Sequence, residues 1–248
     1  MKTLMCNLWR GEALPKFSND AYGLEDVLKL WRNARRHVED LRLVCMVDKH
    51  YYDRREDIKF ASDEEAKSFK ATAHFQPYEG YGIGGWSNVM ECFRPELHQL
   101  TGRQRAVVVG LDTVFVGNSD WLWQQRTEPV SLPMDPFYNE VPCDAVITFD
   151  SLGAKLAWRK FVDTRLDKPY PYKLFDQPSE MMLLRSLWDE MGRPAFLEGN
   201  QMRLLQSFKA CKLAEVSTLP HASVVYFHGK PKPKDLDPEH PVRKEWER

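Results

Sequence analysis

The stretch Ala106-Val-Val-Val-Gly-Leu-Asp112, running on through Thr113-Val-Phe-Val116, decides the fold. Its apolar residues follow one another without the alternation of a half-exposed strand. That predicts a strand covered on both faces, in the middle of a parallel sheet. Working outward, Leu4 to Leu8 and Leu41-Arg-Leu-Val-Cys-Met-Val47 read as two more strands of the same kind. Between them, Leu24, Leu28, Trp31 and Val38 recur at helical spacing. Glu25 and Asp26 stand at the start of that segment and Arg35 and Arg36 near its end, the polarity a helix dipole favours. Strand, helix and strand in this order make a parallel unit with a right-handed crossover. Ala145 to Phe149 and Ser223 to Phe227 add further strands. Pro178 to Met191 reads as a helix, with proline in its first turn and Gly192 just past its end. A shorter helix is expected from Trp86 to Phe93, after the glycine-rich turn Gly80 to Gly85. The expected fold class is α/β, a single Rossmann-like domain with a mainly parallel central sheet flanked by helices. The domain is expected over residues 1–233, followed by an extended tail rich in proline and charge over 234–248.

Composition narrows the function. Thirty-five basic against 36 acidic residues leave a net charge of -1, which argues against a general polyanion binder. With 43% hydrophobic and 29% charged residues the chain has ordinary globular composition. Its apolar runs fall far short of the roughly 18 residues of a membrane span. The apolar N-terminal stretch is too short for a signal sequence. A soluble, cytoplasmic protein without a transmembrane segment is therefore expected. The five cysteines show no C-x-x-C spacing, so neither a cysteine zinc cluster nor a redox dithiol is encoded. They read as mostly buried thiols in a reducing compartment.

In open α/β sheets, ligands bind beyond the carboxyl ends of the strands. That rule makes Asn7, Asp48, Asp112, Asp150 and His228 candidates. A carboxylate inside an apolar strand loses its hydration, a cost that a divalent cation or strong donors can offset. Asp112 is in that position; its plainer reading is a turn cap. In His228-Gly229-Lys230-Pro231-Lys232-Pro233, the histidine can offer a nitrogen to a metal. Gly229 lets the backbone approach an anion, and Lys230 and Lys232 can neutralise a diphosphate. The plainer reading is a solvated basic turn. Asp176-Gln177 precedes a helix, where aspartate also serves as an N-cap. Trp86, behind Gly84 and Gly85, suits either a stacking platform or core packing. No G-x-S-x-G, G-x-x-x-x-G-K-[ST] or G-x-G-x-x-G motif occurs.

Four segments in order carry a resemblance: Gly85-Trp-Ser-Asn-Val-Met-Glu-Cys-Phe-Arg94, Val107 to Gly117, Asp176-Gln177 and Val225 to Pro233. Together they resemble nucleotide-diphospho-sugar glycosyltransferases of the GT-A fold, in the bacterial and phage branch related to glycogenin-type, retaining transferases. The likeness extends from about Thr3 to Pro233 and implies a GT-A-like domain. It also implies hexosyltransferase-like transfer of a sugar from a nucleotide-diphosphate donor, by default a UDP-sugar, to an acceptor hydroxyl. A cell-surface glycan is the acceptor such a resemblance suggests; the near-zero net charge does not favour a nucleic acid acceptor.

In that family an Asp-x-Asp pair holds Mn²⁺ or Mg²⁺ against the diphosphate. Asp112 matches the second aspartate and His228 the histidine that completes the metal site. Gly229 and Lys232 match diphosphate contacts, with Lys230 nearby, while Asp176 and Gln177 match a pair near the donor sugar and acceptor. Trp86, Asn7 and Asp48 are the remaining donor-binding candidates. The pattern departs from the family at two positions: Gly110 replaces the first aspartate, and Asn88 stands where the family often has lysine. Three outcomes stay open at this point: a metal-dependent enzyme with a reduced site, a metal-independent enzyme, and a non-catalytic nucleotide-sugar or carbohydrate binder on the same scaffold. A nucleotidyltransferase is disfavoured, because Trp9-Arg10-Gly11 lacks the glycine-rich basic loop that chemistry uses after its first strand.

Overall fold

Strand β1 (Lys2–Leu8) runs parallel to β2 (Leu41–Val47), pairing Lys2 with Leu41 through to Leu8 with Val47. Helix α1 (Leu24–His37) joins them, with Glu25 and Asp26 in its first turn and Arg35, Arg36 and His37 in its last. The structure, a computed structural model, describes residues 1–9, 22–78, 85–97, 104–165, 180–197 and 204–248. Short α2 (Lys49–Asp53) and α3 (Asp63–Thr72) lead from β2 to β3 (Ala73–Pro77), which pairs parallel with β2. A 3-10 segment, Gly85–Phe93, then leads toward β4 (Ala106–Val109), parallel to β1. Two short antiparallel strands, β6 (Val130–Ser131) and β7 (Val146–Phe149), complete the sheet beyond β4. The order is β3-β2-β1-β4-β7-β6. The expected α/β domain with a mainly parallel sheet is what forms.

Alternation along the strands builds a core on each face. Leu4, Cys6 and Leu8 point to the side of Val27 and Trp31 on α1. Met5, Val44 and Met46 point to the other side. There they meet Phe93, α4 (Ser151–Arg165) through Ala154 and Phe161, and α5 (Glu180–Glu190) through Leu183 and Leu187. Gly192 follows α5 at φ +82°, the left-handed conformation that ends a helix. Cys6, Cys45, Cys92 and Cys143 are buried free thiols, and Cys211 is an exposed one. No helix among the described residues is long and apolar enough to cross a membrane.

Two elements depart from the sequence reading. The apolar run 106–116 is not one strand. It breaks after Val109 in a turn where the Thr113 N–H donates to the Gly110 carbonyl at 3.1 Å. It resumes as β5 (Val114–Phe115) in a second sheet, β5-β9-β8, with β9 (Val224–Tyr226) and β8 (Leu205–Ser207). The break lifts the Asp112 carboxylate out of the apolar layer that a continuous strand would have forced it into. The second departure is the C-terminal segment, which is not an extended tail. Pro241–Glu247 form α6, whose Val242 and Trp246 are buried with Val114, Val225 and Phe227.

Candidate functional site

Strands β1 and β4 run parallel and end at the same edge of the sheet. Antiparallel β7 begins there, so its N-terminal end joins them. Between these ends lies a cleft of about 330 Å³. Asn7 reaches it from β1, Asp112 from the turn after β4, and His228, Gly229 and Lys232 from the loop after β9. Five of the residues singled out from sequence thus converge from three distant segments.

Each is held by its local structure. The Gly110–Thr113 turn presents Asp112, and the Lys232 ammonium pairs with the Asp112 carboxylate. Gly229 adopts φ +63°, the left-handed region natural to glycine, and turns the chain after His228. Nothing lies within 4 Å of where its Cβ would be, so conformation rather than crowding calls for glycine there. The Lys232 N–H donates to Asp235 at 2.9 Å, which fixes the backbone from which its side chain reaches across to Asp112. His228 sits edge-on to Tyr226 and Phe137, with centroids 5.1 and 5.7 Å away. Burial pushes its imidazole below the ordinary histidine value, although Asp144, Asp135 and Asp112 pull the other way. The ring is therefore neutral near pH 7.

Other candidates lie elsewhere. Asn7 lines the cleft with its amide engaged: it donates to Cys92 Sγ at 3.4 Å and accepts from the Tyr78 hydroxyl at 3.3 Å. Asp48 is not among the residues lining the cleft; its carboxylate caps α2, accepting from the Tyr51 N–H at 3.0 Å. Lys230 is exposed and does not line the cleft either. Asp150 falls at the opposite edge of the sheet, because β7 is antiparallel. There it caps α4, accepting from the Leu152 and Gly153 N–H groups at 2.9 and 2.8 Å. Asp176 and Gln177 lie outside the described residues. Trp86 falls on the described backbone of the 3-10 segment.

The cleft also holds groups that the sequence reading passed over. Asp144, just before β7, and Glu180, at the start of α5, form a carboxyl pair on its wall. Burial first, and then the Asp144 charge, push Glu180 well above the ordinary carboxylate range. Asp144 is also raised by burial, against the pull of His228 and Arg185. Two carboxyls so placed favour sharing one proton over carrying two charges. Tyr22 and Trp9 line the same cleft, and neither the Tyr22 hydroxyl nor Trp9 Nε1 has a hydrogen-bond partner among the described residues. Unpaired buried donors of this kind are sites where a ligand's oxygens gain most.

The described residues do not fit a divalent cation as they stand. Among them no group of three or more His, Cys, Asp or Glu side chains comes together to hold a metal ion. Asp112 already carries a lysine ammonium. Gly110, in the place of the first aspartate of Asp-x-Asp, is hemmed in by Asp112 itself: a Cβ there would lie 2.5 Å from Asp112 Oδ1.

Comparison with known proteins places the architecture. The chain is similar to the glycosyltransferase GlyE of Streptococcus pneumoniae TIGR4, at a TM-score of 0.60 and 11% identity, over 99% of this chain and 59% of that one. WbbM, a bifunctional glycosyltransferase, matches at 0.58 and 10% identity, over 99% of this chain and 49% of the other. The galactosyltransferase LgtC, solved with donor and acceptor sugar analogues, matches at 0.55 and 9% identity, over 98% and 93%. No family model and no curated protein sequence matches the chain. The fold is thus that of the GT-A glycosyltransferases, an α/β domain whose cleft opens at the strand ends. The chain spans 59% of GlyE's length.

Proposed function

We propose that this protein is a glycosyltransferase that moves a sugar from a nucleotide-diphosphate donor, a UDP-sugar first among them, to an acceptor hydroxyl. The observation that carries this reading is the convergence of Asp112, His228, Gly229 and Lys232 in one cleft on a GT-A fold. The two segments lie more than a hundred residues apart in sequence; the resemblance matches Asp112 and His228 to a metal site facing the donor diphosphate, and Gly229 and Lys232 to contacts with the diphosphate itself. Glycans supply the acceptor hydroxyl in this proposal; the net charge of -1 gives no reason to prefer nucleic acid. The free cysteines fit action in the cytoplasm.

In the reaction, the bond between the anomeric carbon and the β-phosphate oxygen breaks, and its electron pair leaves with the nucleoside diphosphate. The acceptor oxygen bonds to the anomeric carbon, and its proton passes to the departing diphosphate. Lys232 stabilises the charge that develops on that leaving group, from within a partly desolvated cleft where such charge–charge contacts strengthen. Gly229 leaves the loop backbone open to the phosphate oxygens. The Tyr22 hydroxyl and Trp9 Nε1 are donors for oxygens of the bound nucleotide. Asp144 and Glu180, on the same wall, can accept from sugar hydroxyls or donate the proton they hold.

Calorimetric titration with UDP and GDP, followed by an assay of release from a panel of UDP- and GDP-sugars with and without glycan acceptors, tests the reading. Saturable binding and acceptor-stimulated release support it. Binding without release under any acceptor would leave a nucleotide-sugar binder instead, and absence of binding would refute donor recognition.

A further inference from the structure

Resting on the reading of the cleft as a donor-diphosphate site, we propose that the Lys232 ammonium, seated on Asp112, supplies the positive charge there that a divalent cation would otherwise bring. Nucleoside diphosphate then binds without added metal. Three observations carry this.

The first is the pair itself. Asp112 and Lys232 come from segments 120 positions apart, and their side chains retain only 15% and 22% of their exposure. A carboxylate so largely removed from water needs a positive partner, and the chain provides one of its own. A divalent ion on Asp112 would first have to displace that ammonium.

The second is Gly110. With no side chain at 110, the Asp112 carboxylate can lie back over its own turn. A Cβ would come within 2.5 Å of Asp112 Oδ1, so any side chain at 110, the missing aspartate included, would push that carboxylate out of its present position. An aspartate at 110 would thus compete for the space the Asp112 carboxylate occupies while it holds Lys232. The glycine in the sequence leaves that space open.

The third is ligand count. Mg²⁺ and Mn²⁺ are octahedral ions that favour oxygen donors. In sites for such ions one or two carboxylates share the ion with substrate phosphates and water. Here the protein's share at this turn is the Asp112 carboxylate, already paired with an ammonium, and the described residues offer no cluster of three or more donors. An ammonium needs no such set. It has three N–H donors, so while one is directed at Asp112 the others are left for phosphate oxygens. Asp112 is then a positioning residue that aims the lysine, and Lys232 is the diphosphate ligand.

The test is UDP titration into the full chain in EDTA, in Mg²⁺ and in Mn²⁺, with circular dichroism verifying that each variant is folded. The expected result is a wild-type affinity unchanged within about twofold across the three conditions. Lys232→Met should weaken UDP binding by about tenfold or more, and Lys232→Arg, which keeps the charge, should recover most of it. The double variant Gly110→Asp/Lys232→Met, which restores two aspartates and removes the competing ammonium, should bind UDP more tightly in Mn²⁺ than in EDTA. A wild-type affinity that rises about tenfold or more with Mn²⁺ would overturn the inference while leaving the donor site intact. Equal binding by wild type and Lys232→Met would overturn it too. If UDP and GDP bind in none of the three conditions, the reading of the cleft fails and the inference falls with it.

Discussion

Replacing Trp246 by alanine tests whether the C-terminal helix is a structural part of the domain. Its side chain is 1% exposed, among the largest fully buried in the protein, and it packs with Val114, Val225, Phe227 and Val242. Lys29 Nζ lies 4.1 Å from the centre of its ring. Beside it, Glu245 clamps the helix to α1. Burial works to raise the Glu245 carboxyl, but hydrogen bonds from Arg36 at 2.7 Å and His37 at 3.0 Å outweigh it and hold the group below its ordinary range. Asn33 completes the join, accepting from the Phe115 N–H at 2.6 Å while donating to the carbonyls of Phe115 and Glu245 at 2.9 and 3.2 Å. Truncating a buried tryptophan costs about 3–5 kcal/mol. At roughly 2–4 °C per kcal/mol for a chain of this size, the melting temperature should fall by about 10 °C. Trp246→Phe keeps most of the buried area and removes an indole N–H that has no partner among the described residues. It should therefore cost less than about 1.5 kcal/mol. Urea and thermal unfolding followed by far-ultraviolet dichroism give both numbers. A loss below about 1 kcal/mol for Trp246→Ala would mean that the helix is not docked as described, and that the loop carrying His228 does not depend on it.

Glu180→Gln should change the pH dependence of stability. A carboxyl raised above its ordinary value of 4.5 contributes stability that is fully present at or below that value and is lost as pH rises through its folded pKa. Thermal melts from pH 5 to 9 should therefore show the wild type losing ground to the variant as pH rises; parallel profiles would refute the shared-proton pair. Arg105, with no exposed side-chain area, donates to the Glu128 carbonyl at 2.8 Å, to Ser131 Oγ at 3.1 Å and to the Thr148 carbonyl at 3.1 Å. Arg105→Met strands those acceptors and should cost about 3–5 kcal/mol in urea unfolding, where a loss below about 1 kcal/mol would contradict the network. Gly153→Ala should destabilise by about 2–3 kcal/mol, since its Cβ would lie 2.1 Å from the Pro129 carbonyl oxygen and backbone cannot swing aside as a side chain can. A variant as stable as wild type would show that α4 sits farther from the Pro129 backbone.

What hydrophobic pattern encodes directly was legible. Strands β1, β2 and β4 and helix α1 follow from runs and spacing, because buried strands and amphipathic helices expose their environment in their composition. The break at Gly110 was not legible in the same way. Val107 to Val109 and Val114 to Val116 are equally apolar, and nothing in hydropathy separates a strand with one costly aspartate from two strands in two sheets. The cost of burying Asp112 was itself the signal, since the chain relieves it by turning. Helix α6 was hidden for a different reason. Proline and charge density suggested an extended segment, yet Pro241 occupies the first turn, where its missing N–H costs nothing. The charges around Trp246 serve as its anchors, Glu245 above all.

The cleft was half legible, and sheet polarity explains part of the division. Ligands gather beyond the carboxyl ends of parallel strands, and that rule brought forward Asn7, Asp112 and the His228 loop, which reach the cleft, but also Asp48, which follows parallel β2 and caps α2 instead. Applied to Ala145–Phe149, the same rule selects Asp150. But β7 pairs antiparallel with β4, Ala106 opposite Phe149 and Val109 opposite Val146, so its amino end faces the cleft and its carboxyl end faces away. Asp144 therefore enters the site while Asp150 caps a helix on the far side. Strand direction is a property of the connections, which a four-residue apolar run does not encode. Glu180 follows from the same geometry: α5 begins where β7 begins, and so delivers its first acidic residue to Asp144. A carboxyl at the amino end of any strand in a mixed sheet is then as strong a site candidate as one at a carboxyl end, and only the pairing decides between them.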